Sequence, residues 1–145
     1  MKKSDRFKPI AQVAVTRETN AAREVNNAQI NAQDKQSRLD QLELYYQEYV
    51  QQYEQQGKTG IGIKQLQSYR SFLEDLNKAI EQQKNLVQIA QGMVDEKKQH
   101  WFEARKKVKI YEKVITNYQQ DEQYQEDKLE QSTMDEHAQN TTRYK

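Results

Sequence analysis

The chain has 145 residues, of which 23 are basic and 22 acidic, and its formal net charge is +1 at pH 7. Hydrophobic residues make up 34% and the mean hydropathy is −1.23, against roughly 45–50% apolar content in ordinary globular domains, so a round core is excluded. The near-balance of charge leaves no global field for nucleic acid or an anionic membrane, and the absence of cysteine excludes a disulfide framework and thiol chemistry. The basic start, Met1-Lys2-Lys3-Ser4-Asp5-Arg6, is followed by no apolar stretch, so neither a signal peptide nor a membrane span is expected. The expected location is the cytosol, with no direct membrane insertion.

A chain this polar is either disordered or built around a narrow seam, and periodicity decides between the two. Helix one is predicted over about residues 8–55, beginning near Pro9 without a capping box. Spacings of three and four give Phe7, Ala11, Ala14, Glu18, Ala21, Val25, Ala28, Ala32, Lys35, Leu39, Leu42, Tyr46, Tyr49 and Tyr53. All but Glu18 and Lys35 are apolar or aromatic. The Gly cluster Gly57, Gly60 and Gly62 reads as a turn over 56–62.

Helix two is predicted over about residues 63–132, and residues 133–145 read as a frayed tail. The same spacing rule gives Leu66, Tyr69, Leu73, Leu76, Ile80, Gln83, Val87, Ala90, Val94, Lys97, Trp101, Ala104, Val108, Tyr111, Ile115 and Tyr118, of which only Gln83 and Lys97 are polar. Two sustained heptad seams argue for an all-α fold, a long two-helix antiparallel coiled-coil hairpin spanning 1–145 as one unit. In the simplest register Tyr53 faces Leu66, Tyr49 faces Tyr69, Leu42 faces Leu76, Val25 faces Val94 and Phe7 faces Tyr111. The polar interruptions then fall together: Lys35 opposite Gln83, and Lys97 near Glu18. Helix one would be about 70–75 Å long. Beyond Tyr118 the seam fails, with Glu122 and Gln125 at core positions.

Catalysis finds no support. His100 and His137 are far apart, no Ser-His-Asp pattern exists, and Gly57-Lys58-Thr59 lacks the upstream Gly of a phosphate loop. No cofactor or metal is expected, and His137 beside Asp135 and Glu136 reads as a solvated tail. The basic run Arg105, Lys106, Lys107, Lys109 and Lys113 has two readings. It is a solvated coiled-coil face interleaved with Glu103 and Glu112, or a cationic collar for an acidic protein surface. Nucleic acid is disfavoured as its target, because net charge and stacking aromatics are missing.

Nearer the turn, the heptad places Tyr45 across from Phe72 on one flank, with Ala79 beside them and Leu42, Tyr49 and Leu76 at the rim. The opposite flank, with Glu43, Val50, Arg70 and Asn77, is mostly polar. An aromatic patch of this kind either widens the two-helix core or marks a protein contact.

The stretch Leu42-x-x-Tyr45-x-x-x-Tyr49, a Gly-bearing turn, then Leu66-x-x-Tyr69-x-x-Phe72-Leu73-x-x-Leu76-x-x-Ala79-Ile80-x-x-Gln83 resembles the flagellar export protein family FliJ. Trp101 and the tail Met134-Asp135-Glu136-His137-Ala138 fit the same family. The resemblance covers most of the chain and is strongest from Leu42 to Trp101. It implies a non-enzymatic component of the flagellar type III export apparatus, at the cytoplasmic face of the bacterial inner membrane. The implied fold is similar to the coiled-coil γ stalk of rotary ATPases. Such a stalk inserts into the hexameric ring of the export ATPase FliI and promotes its function. It also couples the ring to the cytoplasmic domain of the export gate protein FlhA, and it assists recycling of export chaperones in flagellum assembly and motility. Carried over, the gate-binding positions are Leu42, Tyr45, Tyr49, Phe72, Leu76 and Ala79. Arg38 and Gln83 stand at the ends of that surface, where the sequence departs from the family pattern. The collar Arg105–Lys113 is assigned to the ATPase ring. The alternatives are the equivalent stalk of a virulence-type secretion system and a tethering coiled coil that only self-associates.

Overall fold

A computed structural model describes residues 1–143, and within them the chain is an all-α hairpin of two helices. Helix α1 spans Lys3–Thr59 and α2 spans Ile63–Arg143. Gly60 stops α1: its φ of 84° lies in the left-handed region, where glycine pays no Cβ penalty. The Gly62 carbonyl accepts the N–H of Leu66 at 3.0 Å and opens α2. Helix one therefore runs four residues past its predicted end, and Gly57 stays helical. Only the residue forced to positive φ terminates it.

The start of α1 also differs from the prediction. The helix begins at Lys3, where the N–H of Arg6 donates to the Lys2 carbonyl at 3.2 Å. Pro9 lies inside it, without an N–H for the Asp5 carbonyl. Contacts to α2, described below, outweigh that lost bond. At the other end, residues 133–143 are helical rather than frayed. Thr133, Thr141 and Thr142 donate their hydroxyls to the carbonyls of Leu129, His137 and Ala138. Tyr144 and Lys145, the last of the predicted tail, lie outside the described residues.

Every predicted seam position in both helices is buried or half-buried. The chain divides into two compact units, Ala21–His100 around the turn, and Met1–Asn20 with the segment from Trp101 onward. In the turn unit, Leu39, Leu76, Ile80 and Val87 form the buried cluster, with Leu42 and Tyr46 packed against it. Each such apolar side chain contributes about 1.5–3 kcal/mol on burial. Gln83, only 6% exposed, donates from Nε2 to the Lys35 carbonyl at 2.9 Å, as the facing of Lys35 and Gln83 anticipates.

The terminal unit keeps the seam but not the register. Phe7 packs on Tyr118, with ring centroids 5.4 Å apart, instead of on Tyr111. That is one heptad, about 10 Å, further along α2. Ser4 is buried against Glu122, donating its hydroxyl to Oε2 at 2.7 Å and its backbone N–H to Oε1 at 3.1 Å. Lys2 bridges Glu126 at 2.8 Å. Glu122 is half-buried because it finds a donor in Ser4, whereas Gln125 and the rest of residues 123–142 are exposed, so the seam ends there as expected. Lys97 does not meet Glu18 as expected. It pairs with Glu24 at 3.3 Å, and Glu18 takes Arg105 at 3.5 Å. The departure grows gradually along two uninterrupted helices: Lys35 with Gln83 keeps the predicted facing, and Glu24 with Lys97, Glu18 with Arg105 and Phe7 with Tyr118 depart from it by progressively more. Side chains lean towards their own helix's N-terminus, so a long α1 side chain reaches away from the turn and meets an α2 side chain leaning back towards it.

Candidate partner-binding surfaces

The aromatic group near the turn is built by heptad geometry. Tyr45 and Tyr49 are i,i+4 neighbours on α1, so they lie on adjacent turns of one face. Phe72 on α2 stacks on Tyr49 at 4.3 Å and 29°, and meets Tyr45 edge-on at 6.2 Å. Tyr69 joins from below, 6.2 Å from Tyr49 and 6.0 Å from Tyr53. Aromatic contacts of this kind hold rings rigid, at about 0.5–1.5 kcal/mol a pair beyond area burial.

The six positions expected to bind a partner do not share one environment. Tyr45 and Phe72 are exposed, at 45% and 36%. Tyr49 and Ala79 are half-buried, and Leu42 packs on the core cluster. Leu76 is a core residue at 7% exposure, so it supports the patch from below. Gln83, at the end of the patch, is engaged in the seam. The hydrogen bond to Tyr49 raises the pKa of the Tyr45 phenol, with smaller contributions from burial and Glu48. Tyr45 therefore presents a neutral hydroxyl at any physiological pH.

The basic segment of α2 is likewise not uniform. Arg105 is drawn onto its own fold, ion-paired with Glu18 and lying 5.4 Å from the centroid of the Trp101 ring. Lys106 pairs loosely with Glu103 at 3.8 Å. Lys107, Lys109 and Lys113 are exposed. Sequence reasoning passed over two features here. Phe102 and Ile110, 52% and 58% exposed, stand among these cations. Leu86 and Met93 continue the Phe72 and Ala79 flank at seven-residue spacing, both exposed. Counting the heptad flanks finds the second feature, and the first needs the outward face counted as well.

Among the described residues no group of His, Asp or Glu is arranged to hold a metal ion, and no helix is long and apolar enough to cross a membrane. The family model of the flagellar FliJ protein matches residues 2–145. The chain belongs to the FliJ family. No curated protein and no solved structure gave a match. FliJ membership assigns the chain to the flagellar export apparatus, and the two-helix all-α fold is consistent with it.

Proposed function

We propose that this chain is a stalk-like coupling component of the flagellar export apparatus, working in the cytoplasm against the inner face of the membrane. Its basic segment engages the hexameric export ATPase and promotes ring function. Its aromatic patch engages the cytoplasmic domain of the export gate, and the protein assists recycling of export chaperones. The observation that carries this reading is the rigid, solvent-facing stack of Tyr45, Tyr49 and Phe72 on a chain of this family. A large aromatic surface held open at the cost of its exposure is what a protein-binding hot spot requires. Leu42, Leu76 and Ala79 serve as its support and rim.

The test is ATP hydrolysis by the cognate export ATPase with and without the full chain, together with binding of the gate domain to wild type and to Tyr45→Ala. Stimulated hydrolysis, and gate binding weakened about tenfold or more by loss of one hot-spot aromatic, support the reading. An unstimulated ATPase together with gate binding indifferent to Tyr45 overturns it.

A further inference from the structure

Phe102, Lys106, Lys109 and Lys113 are separated by four, three and four residues. In an α-helix that spacing places them on one stripe, with Ile110 at its edge. The seam positions of the same segment, Trp101, Ala104, Val108, Tyr111 and Ile115, are half-buried against α1, while all five stripe residues are exposed. The stripe is the outward face of α2. Arg105 lies off it, held by Glu18 and Trp101. Lys107 projects from a different side of the helix, about 100° from Lys106.

We infer that this outward stripe of Phe102, Lys106, Lys109, Ile110 and Lys113 is a docking surface for an acidic protein face with an apolar socket. The inference rests on the export-ATPase reading above and narrows it to particular residues. Charge complementarity sets the partner's sign. Among the described residues, the ion pair found for these three ammonium groups is the loose one of Lys106 with Glu103. Two large apolar side chains about 12 Å apart along the axis give the contact something to bury besides charge. A stripe of lysines alone would be a solvated face, whereas exposed Phe and Ile between them are a cost to solubility that a partner removes.

An anionic membrane fits the same face less well. Continuing the stripe by threes and fours past Lys113 leads through Asn117, Gln120 and Tyr124 to Asp127, Gln131 and Asp135. A helix lying along anionic lipid would press those carboxylates onto the same charged surface. A protein partner need cover only the basic part.

The test measures binding of the full-length chain to the cognate export ATPase at low and physiological salt, and to vesicles of phosphatidylglycerol. The variants are Lys106→Gln/Lys109→Gln/Lys113→Gln together, Phe102→Ala, and Lys84→Gln, an exposed lysine of α2 outside the basic segment, as the control. Circular dichroism checks that each remains helical. The triple variant is expected to lose about tenfold or more in ATPase affinity, chiefly through slower association at low salt. Phe102→Ala should lose several-fold, and Lys84→Gln should bind as wild type. Wild-type binding that the triple variant retains in full overturns this inference and leaves the ATPase reading standing. So does equal weakening by Lys84→Gln, which would mean a diffuse field rather than a stripe. Vesicle binding abolished by the triple variant while ATPase affinity is unchanged reassigns the face to lipid. A wild-type chain with no ATPase affinity at all overturns both readings.

Discussion

Ser4 gives both its hydroxyl and its backbone N–H to the carboxylate of Glu122, 118 residues away in sequence. This pair, with Lys2 on Glu126 and Phe7 on Tyr118, holds the first turns of α1 although Pro9 interrupts their hydrogen bonding. Ser4→Ala removes the hydroxyl and keeps the helix propensity. Amide exchange in residues 3–10 should speed up by about an order of magnitude, the worth of one charge-assisted hydrogen bond. Exchange around Ile80 and Val87 should not change.

Acid should act at the same place. The Ser4 hydrogen bond holds the Glu122 pKa below its ordinary value of 4.5, helped by the Ser4 N–H and the Lys2 charge and opposed by desolvation. A depressed folded-state pKa gives stability that is complete above the unfolded value and is lost as pH falls through the folded one. Protection of residues 3–10 should therefore hold at pH 6 and fall away below about 4.5. Glu122→Gln should abolish that acid dependence. Lys2 works in the opposite sense. Its hydrogen bond and ion pair with Glu126 raise its pKa above 10.5, so its contribution persists to high pH and fades only as pH rises through that raised value.

Two glycines should respond oppositely to alanine. At Gly60 the φ of 84° puts the backbone where a Cβ is strained whatever space surrounds it. Gly60→Ala should cost about 1–2 kcal/mol. Gly92 lies mid-helix, and a Cβ there meets nothing within 4 Å. Gly92→Ala should stabilise by up to about 1 kcal/mol. Urea denaturation of the two variants checks both signs.

Stability and binding should separate at neighbouring patch residues. Leu76→Ala empties a core position and should cost about 2–5 kcal/mol. Tyr45→Ala removes a ring that is 45% exposed but touches Tyr49 and Phe72, and should cost about 1–2 kcal/mol, less than Leu76→Ala, while weakening gate binding. Denaturation curves set beside affinities for the gate domain decide this. A Tyr45 variant that unfolds as readily as Leu76→Ala would show the ring to be core.

At Gln83 the expected trade is specificity against stability. Its amide is buried in the seam, and the Lys35 carbonyl it reaches retains its own intrahelical partner. Gln83→Leu should raise the melting temperature by about 4 °C or more. It should also add oligomers visible in light scattering, since a buried polar residue in a seam commonly enforces a single partner arrangement.

The sequence makes the seam legible because burial repeats every three and four residues, and no Phe7, Leu39, Val87 or Tyr118 could be moved without breaking that count. Register was legible only near the turn, where Gly60 fixes one end and the bulky Tyr45, Tyr49, Tyr69 and Phe72 interlock. Towards the termini the contacts depend on the lean of long side chains and on pairs such as Ser4 with Glu122, neither of which has a periodic signature. The helix start was missed for the same reason: Pro9 is a local signal, and a long-range contact overrules it. In the partner surfaces, Tyr45 and Phe72 were readable as flank positions. The withdrawal of Arg105 onto Glu18 was not, because it follows from the register.

The separation of 118 residues between Ser4 and Glu122 also has a meaning in time. At about 5–20 residues per second of synthesis, the first turns of α1 wait several seconds for their partners to be made. Meanwhile Gly60 and the aromatics beside it are already available to close. The hairpin is therefore expected to zip from the turn towards its termini, and a newborn chain passes through an interval in which an alanine-lined face stands open to any other helix nearby.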